Sequence, residues 1–466
     1  MNARRLLCST LPALALLAGC MRYPPAPVVL ADRAQALAAA RFDPAAIEAE
    51  ARRIAPDAAP AGLDRLALFA ALLTRDPKIA QARAAIATAA AEARASRHVV
   101  GPTFTLSAEY AHDPSASSPW LLGGAVNLPL DRGQQRQARL DRADLAVLIA
   151  RDDYAETVWS ERMALRRALI DGAIAARQVA AGETIASLRS RQIAALEREA
   201  QAGAIAGATL SPYRTLQAQE RRAIEDARGR QIAARAAIAG LLAVPIATLA
   251  DQPFVWPEFD LPSAEPALAI TPSLRLQAVT ARADVLRALA AYDQTDADVR
   301  LEIARQYPTI SLGPGYTWER GLVKLPLAIN LALPSFDRNG AATRTSLTKR
   351  DEAAAAIDTV LTTAQAEIEA ALVERRAAMA ALARLQTSEL PQLDAAAAQA
   401  EARLARGQIA RADWADAQIA AQTARLTALD LLARVQAADA ALENALRRPI
   451  EGPETRIRPE RLEDIR

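Results

Sequence analysis

Between residues 103 and 110 the chain alternates strictly: Phe104, Leu106, Ala108 and Tyr110 are apolar, and Thr105, Ser107 and Glu109 between them are polar. A period of two puts each kind of residue on its own face of a strand, so the stretch reads as a β-strand with one apolar and one polar side. A turn-rich stretch over 112–119 leads to a second strand over 120–130. The same pair returns over 309–318 and 322–333, joined by the shorter turn Glu319, Arg320, Gly321. Tyr110, Trp120, Tyr316 and Trp318 lie near the strand ends, where aromatic residues gather in strands that meet a lipid interface.

Elsewhere the apolar spacing is helical. Residues 77–98 carry Ala and Ile on one face and stop at Gly101 and Pro102. From 133 to 202, and from 340 to 406, the only proline is Pro391. A helix of about 65 to 70 residues is a rod of roughly 100 Å. Each rod ends at a glycine, Gly203 or Gly407, and turns back into a shorter helix, over 211–244 and 409–446. Ser211 and Pro212 mark a helix start with proline in its first position. In the last helix Ile419 and Leu426 are seven apart, Leu429 follows three on, and Val435 and Leu442 are again seven apart, spacings of three and seven that a coiled-coil seam uses.

These elements occur twice in one order. Pro102 returns as Pro308, 206 residues on, each followed by Thr, an aromatic or branched residue, and an apolar residue two further on. Ala125, Val126, Asn127 and Leu128 return as Ala328, Ile329, Asn330 and Leu331, and Asp131 with Arg132 as Asp337 with Arg338. Gly203 and Gly407, like Pro245 and Pro449, are 204 apart. Asp76 with Pro77 finds a partner in Thr271 with Pro272. Landmarks in register over so long a span imply duplication and fusion of one unit of helix, strand pair and long helical hairpin.

The N-terminus adds an address. Arg4 and Arg5, a short apolar run over 11–17, and small residues before Cys20 describe a secretory signal too short to span a membrane. Leu17, Ala18, Gly19 and Cys20 resemble the bacterial lipoprotein box, in which the cysteine is lipidated and becomes the mature N-terminus; the plainer alternative is an ordinary signal with an incidental cysteine. The other cysteine, Cys8, lies in the removed segment, which leaves no disulfide and no thiol chemistry for the mature chain. Pro24, Pro25 and Pro27 read as an extended tether. Composition agrees with long, closely packed, water-facing helices: Ala dominates the apolar class, aromatics are 4%, and 56 Lys and Arg face 54 Asp and Glu, so no net field favours nucleic acid. No stretch reaches the apolar length of a spanning helix, so a membrane can be crossed only by strands.

Four strands cannot close a barrel in lipid, where an open edge leaves backbone groups unpaired, so the strands of one chain need those of others. The tandem repeat, the Pro-x-Phe/Ile-x-Leu strand openings at Pro102 and Pro308, the strand exit from Asn127 to Gly133 and the segment from Arg406 to Gln418 together resemble the outer-membrane efflux family typified by TolC. The resemblance covers nearly the whole mature chain. It implies a mainly α protein with a small membrane β-barrel part: a homotrimer whose twelve-stranded barrel continues into a twelve-helix periplasmic tunnel. It also implies passive conduction of solutes delivered by an inner-membrane pump through a periplasmic adaptor. Cys20 places the chain near the lipidated branch that serves resistance-nodulation-division pumps, anchored in outer-membrane lipid. The expected organisation is a signal peptide over 1–19, a lipid-anchored tether and equatorial segment over 20–60, a first repeat over 61–249, and a second repeat with a C-terminal equatorial segment over 250–466.

The resemblance also points to the turns. In the family the glycine after a basic residue marks the periplasmic tip that meets the adaptor; Arg406 with Gly407 match it, and Gly203 is the counterpart in the first repeat. Six and nine residues beyond that glycine the family can carry lumen-facing aspartates at the pore constriction, and Asp413 and Asp416 stand there. Three residues apart, they share a helix face and would ring a trimeric pore with carboxylates that attract cations. The bland alternative is a pair of first-turn acids favoured by the helix dipole. The first repeat has Thr209 and Pro212 in those places, and Gly207 makes its turn longer or looser. His98 and His112 have no second ligand nearby, Gly123 and Gly124 in a strand suggest a bend or bulge, and nothing reads as an enzyme or a cofactor site beyond the lipid on Cys20. The competing function is a lipid-anchored periplasmic coiled-coil adaptor or scaffold, which would have one hairpin followed by β-rich domains.

Overall fold

The computed structural model describes residues 23–58, 62–99, 101–110, 118–130, 133–256, 259–260, 272–319, 321–333 and 336–457. Cys20, His112, Asp131, Arg132 and Thr271 lie outside them. The chain divides into two compact units at residue 41. In the first, residues 23–29 have no regular structure and run into helix α1, Leu30–Ala38, which buries none of its residues.

The second unit begins with three capped helices. Asp43 accepts from the Ala45 and Ala46 amides at the start of α2, Pro44–Ile54. Asp64 caps α3, Arg65–Arg75, through the Ala67 amide at 2.9 Å. Asp76 caps α4, Pro77–Ser96, through Lys78 and Ile79 at 2.7 and 3.0 Å. In α2 and α4 the first position is proline, which has no amide to leave unpaired there. All of α3 from Arg65 to Leu73 is buried.

The predicted strands are present. β1, Thr103–Tyr110, pairs antiparallel with β2, Trp120–Leu130, and β2 with β3, Thr309–Glu319. The fourth predicted strand is interrupted. β4, Leu322–Lys324, and β5, Leu327–Ala332, both pair with β3 in one continuous register, and between them Pro326 uses its carbonyl to accept from the Gly315 amide at 2.7 Å. Lacking an amide, Pro326 cannot donate to the ladder, which is why the strand breaks there. Gly123 and Gly124 make no bulge, because the registers on both sides of β2 run through them unbroken. Their reason is room: a Cβ on Gly123 would sit 2.6 Å from Ser107 Oγ, and one on Gly124 3.3 Å from the Phe104 ring.

Cross-strand partners share a face. The register therefore puts Phe104, Leu106, Tyr110, Trp120, Leu122, Leu128, Ile310, Leu312, Trp318, Ile329 and Leu331 on one face, and on the other Thr103, Thr105, Ser107, Glu109, Asn127, Ser311, Thr317, Lys324 and Asn330, with Leu121 and Leu322 beside Glu319 at one end of it. On the polar face Asn330 donates to Asn127 Oδ1 at 3.3 Å, linking equivalent positions of the two repeats. On the apolar face Phe104, Leu106, Tyr110, Ile329 and Leu331 are all more than half exposed.

The long helix of the first repeat is one rod, α5, Gly133–Gln201, of 69 residues. It is followed by a 3-10 turn, Gly207–Thr209, and by α6, Leu210–Leu241. Helix α6 thus starts one residue before Ser211, and Pro212 is its third residue rather than its first. The second repeat has α7, Pro272–Thr280, α8, Ala283–Ala304, and a rod interrupted by a π-turn: α9, Gly340–Arg384, the turn Leu385–Glu389, and α10, Leu390–Ala405. The interruption follows from Pro391, whose ring would clash with the carbonyl four residues earlier. Helix α11, Arg411–Leu446, returns alongside. One landmark is corrected: α8, not α7, is the counterpart of α4, starting 206 residues after Pro77, the offset that relates the two strand openings. Pro272 opens α7, which matches α3 instead.

The helices form a wall. α5 packs against α4 and α8 along one part of its length and against α6 and α11 along another; α9 packs against α8 and α11, and α10 against α11. Across its middle, Met163, Ile170 and Ile174 of α5 meet Ala378 and Leu382 of α9, Leu432 and Val435 of α11, and Phe259.

Candidate functional site

The two rods end in the same way. After α5, Ala204 donates to Glu199 at 2.9 Å and Gly203 to Ala200 at 3.1 Å; after α10, Gln408 donates to Arg403 and Gly407 to Leu404, both at 2.9 Å. In each turn the glycine is left-handed, with φ of +78° at Gly203 and +67° at Gly407. This is the paired-bond helix stop that glycine favours because it has no Cβ to strain. Nothing lies within 4 Å of where a Cβ would be at either position.

Beyond the glycines the turns differ. α11 starts four residues after Gly407, whereas the first turn inserts the 3-10 segment that Gly207 opens, delaying α6 to Leu210. Gly207 does not have a positive φ, so it lengthens the turn without reversing it. Between the turns sits a small core of Ile193, Leu196, Leu210 and Ala412, with Ile205 and Tyr213 against it.

Asp413 lies in the first turn of α11 and is exposed, as are Arg406 and Gly407. Asp416, one turn on, is half exposed and lies 3.9 Å from Arg189 of α5. Arg189 is buried and does more than touch Asp416. Its Nε donates to Glu220 of α6 at 3.0 Å, and its Nη1 to Gln192 at 2.6 Å. Gln192 in turn donates to the Ala412 carbonyl at 3.3 Å. One guanidinium therefore joins both hairpins just behind their turns. Burial raises the Glu220 carboxyl above its ordinary range, and the hydrogen bond and charge of Arg189 only partly offset that. Cys20 lies outside the described residues. His98 is exposed beyond the end of α4.

A second set of charged residues was not singled out from sequence. Arg162 and Arg166 of α5 both reach Glu443 of α11, at 3.2 and 2.6 Å; Arg162 also reaches Glu454 at 2.7 Å, and Arg166 reaches Glu451 at 2.9 Å. Arg65 of α3 donates to the Glu451 carbonyl at 3.2 Å and lies over the Trp256 ring at 4.6 Å. Nearby, Arg375 of α9 donates to Asp439 of α11 at 2.6 Å. Arg282, at the break between α7 and α8, binds Asp284, Glu367 and the Ala445 carbonyl. On long helices with mixed charge these residues look solvated; the only hint was the spacing of Arg162 and Arg166, four apart on one face.

Together these features define a duplicated protein of paired strands and long helical hairpins, with a two-faced sheet at one end of the wall and glycine-stopped turns at the other. The chain belongs to the outer membrane efflux protein family, whose sequence profile matches residues 68–244 and 274–447, one stretch in each repeat. Among solved structures it is similar to the outer-membrane channel OprN, at 19% identity and a TM-score of 0.70 over 92% of this chain and 98% of that one. A membrane protein from Pseudomonas aeruginosa matches at 21% identity and 0.68, covering 92% and 99%. The MtrE outer membrane channel of Neisseria gonorrhoeae, in its open state, matches at 18% and 0.66, covering 83% and 89%. Among curated proteins none matches the sequence. No helix of the described residues is long and apolar enough to cross a membrane.

Proposed function

We propose that this chain is the outer-membrane channel-tunnel of a tripartite efflux system, passively conducting small solutes that an inner-membrane pump exports through a periplasmic adaptor. The observation that carries the reading is the sheet: one face is apolar and exposed, the other is polar, and β1 on one side and β4 with β5 on the other are edge strands. An apolar face that long and that exposed suits lipid, and unpaired edges in lipid cost several kcal/mol per backbone group. Three copies supply each edge with a partner and close a twelve-stranded barrel with its polar face on the lumen. The wall of helices then continues as a twelve-helix tunnel, and the turns at Gly203, Gly207, Arg406 and Gly407 meet the adaptor. Asp413 and Asp416 ring its constriction. Cys20 carries the lipid that anchors each N-terminus in the outer membrane. OprN and MtrE, whose fold the chain resembles, are outer-membrane channels. The coiled-coil adaptor fits poorly, since this chain has a strand pair before each of two hairpins.

The test is the purified protein in a planar bilayer together with its mass in solution. The expected result is a trimer that forms long-lived, water-filled conductance steps. A monomer that leaves the bilayer silent would overturn the reading.

A further inference from the structure

A cavity of about 650 Å³ between α3, α4, α5 and the segment following α11 takes no part in the channel reading. Its wall is apolar: Phe69 and Leu73 of α3, Ile86 of α4, Val158 and Trp159 of α5, and Ile457. Its charges are out of balance, with Arg83, Arg151, Arg162, Arg447 and Arg448 lining it against one carboxylate, Glu454. Two of the arginines are compensated. Arg162 is held by Glu443 and Glu454, and Arg447 grips Glu156 with two bonds, at 2.7 and 3.2 Å. Arg83 donates to the Leu73 carbonyl at 3.1 Å, a neutral acceptor that leaves its charge in place. Arg151 and Arg448 are exposed at the rim and make no hydrogen bond or ion pair with any described residue.

An apolar, concave wall takes the hydrocarbon part of a ligand, and a few polar groups at its rim choose the head. The volume falls within the range of small-molecule sites, roughly 300–1,000 Å³. Guanidinium groups select anions, carboxylate and phosphate above all, and would reject a cationic head. We propose that this cavity binds a single-chain amphiphile with an anionic head, its alkyl chain against Phe69, Ile86 and Val158 and its head answered by Arg151 and Arg448. The size of this cleft and its concave walls on three helices favour a small ligand over a second protein surface. The site is independent of whether the chain conducts.

The full-length protein, held in amphipol, is titrated calorimetrically with dodecanoate, with dodecyltrimethylammonium and with acetate. Dodecanoate is expected to bind saturably, once per chain, and the other two at least tenfold more weakly. Arg151→Ala with Arg448→Ala should weaken dodecanoate at least tenfold. Val158→Trp, which fills the cavity and leaves its charges, should do the same. Equal binding of the cationic amphiphile, unchanged binding in either variant, or no binding at all would each overturn the proposal. Tyr154→Cys addresses occupation by another chain: a thiol reagent should label it, and dodecanoate should protect it. Protection without dodecanoate would mean that protein fills the cavity, and the proposal would fall.

Discussion

Arg162 of α5 and Glu454, 292 positions further along the chain, meet at 2.7 Å with neither side chain more than 5% exposed. Burial by itself would raise the Glu454 carboxyl, but the positive charges of Arg162, Arg65 and Arg166 outweigh it and hold the group below its ordinary value. A carboxylate depressed in the folded state contributes stability that is complete above its unfolded pKa, about 4.3, and is lost as pH falls through the folded value. Arg162→Ala strands Glu454 and Glu443 without this partner and should cost about 3–5 kcal/mol at pH 7. The gap between wild type and variant should narrow below about pH 4. Denaturant unfolding at a series of pH values measures both; a gap that widened in acid would contradict the sign.

Gly452 holds the C-terminal turn against this cluster. Its φ is +77°, and a Cβ there would fall 1.6 Å from Arg65 Nη2. Gly452→Ala therefore meets backbone strain of about 1–3 kcal/mol and also pushes Arg65 off the Glu451 carbonyl. The expected outcome is a lower unfolding midpoint. Gly407→Ala, where the space is open, should show only the left-handed penalty, about 1–2 kcal/mol.

Pro391 and the π-turn Leu385–Glu389 separate the rod of the second repeat from the unbroken rod of the first. Pro391→Ala restores an amide and removes the ring clash, so the turn should revert to regular helix. Amide hydrogen exchange over 384–391 should slow in the variant, with the equivalent stretch of α5 unaffected. Unchanged exchange would mean that packing against α11, not proline, sets the turn.

Within the proposed pore the two aspartates should not be equal. Asp413 has no partner among the described residues, whereas Asp416 shares the positive charge of Arg189. Asp413→Ala should reduce cation preference and block by multivalent cations more than Asp416→Ala does, as read from reversal potentials in bilayers. If both variants conduct like the wild type, the pair is the dipole-favoured helix start and nothing more.

Lipidation has a direct check. Labelling with radioactive palmitate should vanish in Cys20→Ala, and label that persisted would remove Cys20 as the anchor.

Much of the architecture was readable because local rules and tertiary packing ask for the same thing. The alternation of Phe104, Leu106 and Tyr110 with Thr105 and Ser107 requires a strand whichever neighbour it pairs with, and both β1 and β2 occupy the residues expected. The left-handed turns at Gly203 and Gly407 follow from glycine placed directly after a helical segment. Errors came where a residue's effect depends on its neighbours. The strand expected over 322–333 breaks at Pro326, whose carbonyl is used by Gly315 of β3, and the helix that corresponds to α4 starts not at Pro272 but after Arg282, which Glu367 and the Ala445 carbonyl hold from far away in sequence.

The amino-acid order by itself determined periodicity, length and repetition: two-faced strands, rods of roughly 100 Å, and one unit written twice. These depend on residues a few positions apart, which a reader of the sequence can see. Only the tertiary structure decided which charges leave water. Arg65, Arg162, Arg166, Arg189 and Arg375 are written like dozens of other basic residues on these helices, and each is buried only because an acid from another helix or the C-terminal segment lies within reach. A charge can be buried only with its partner, and here most of the partners are supplied by parts of the chain far away in sequence.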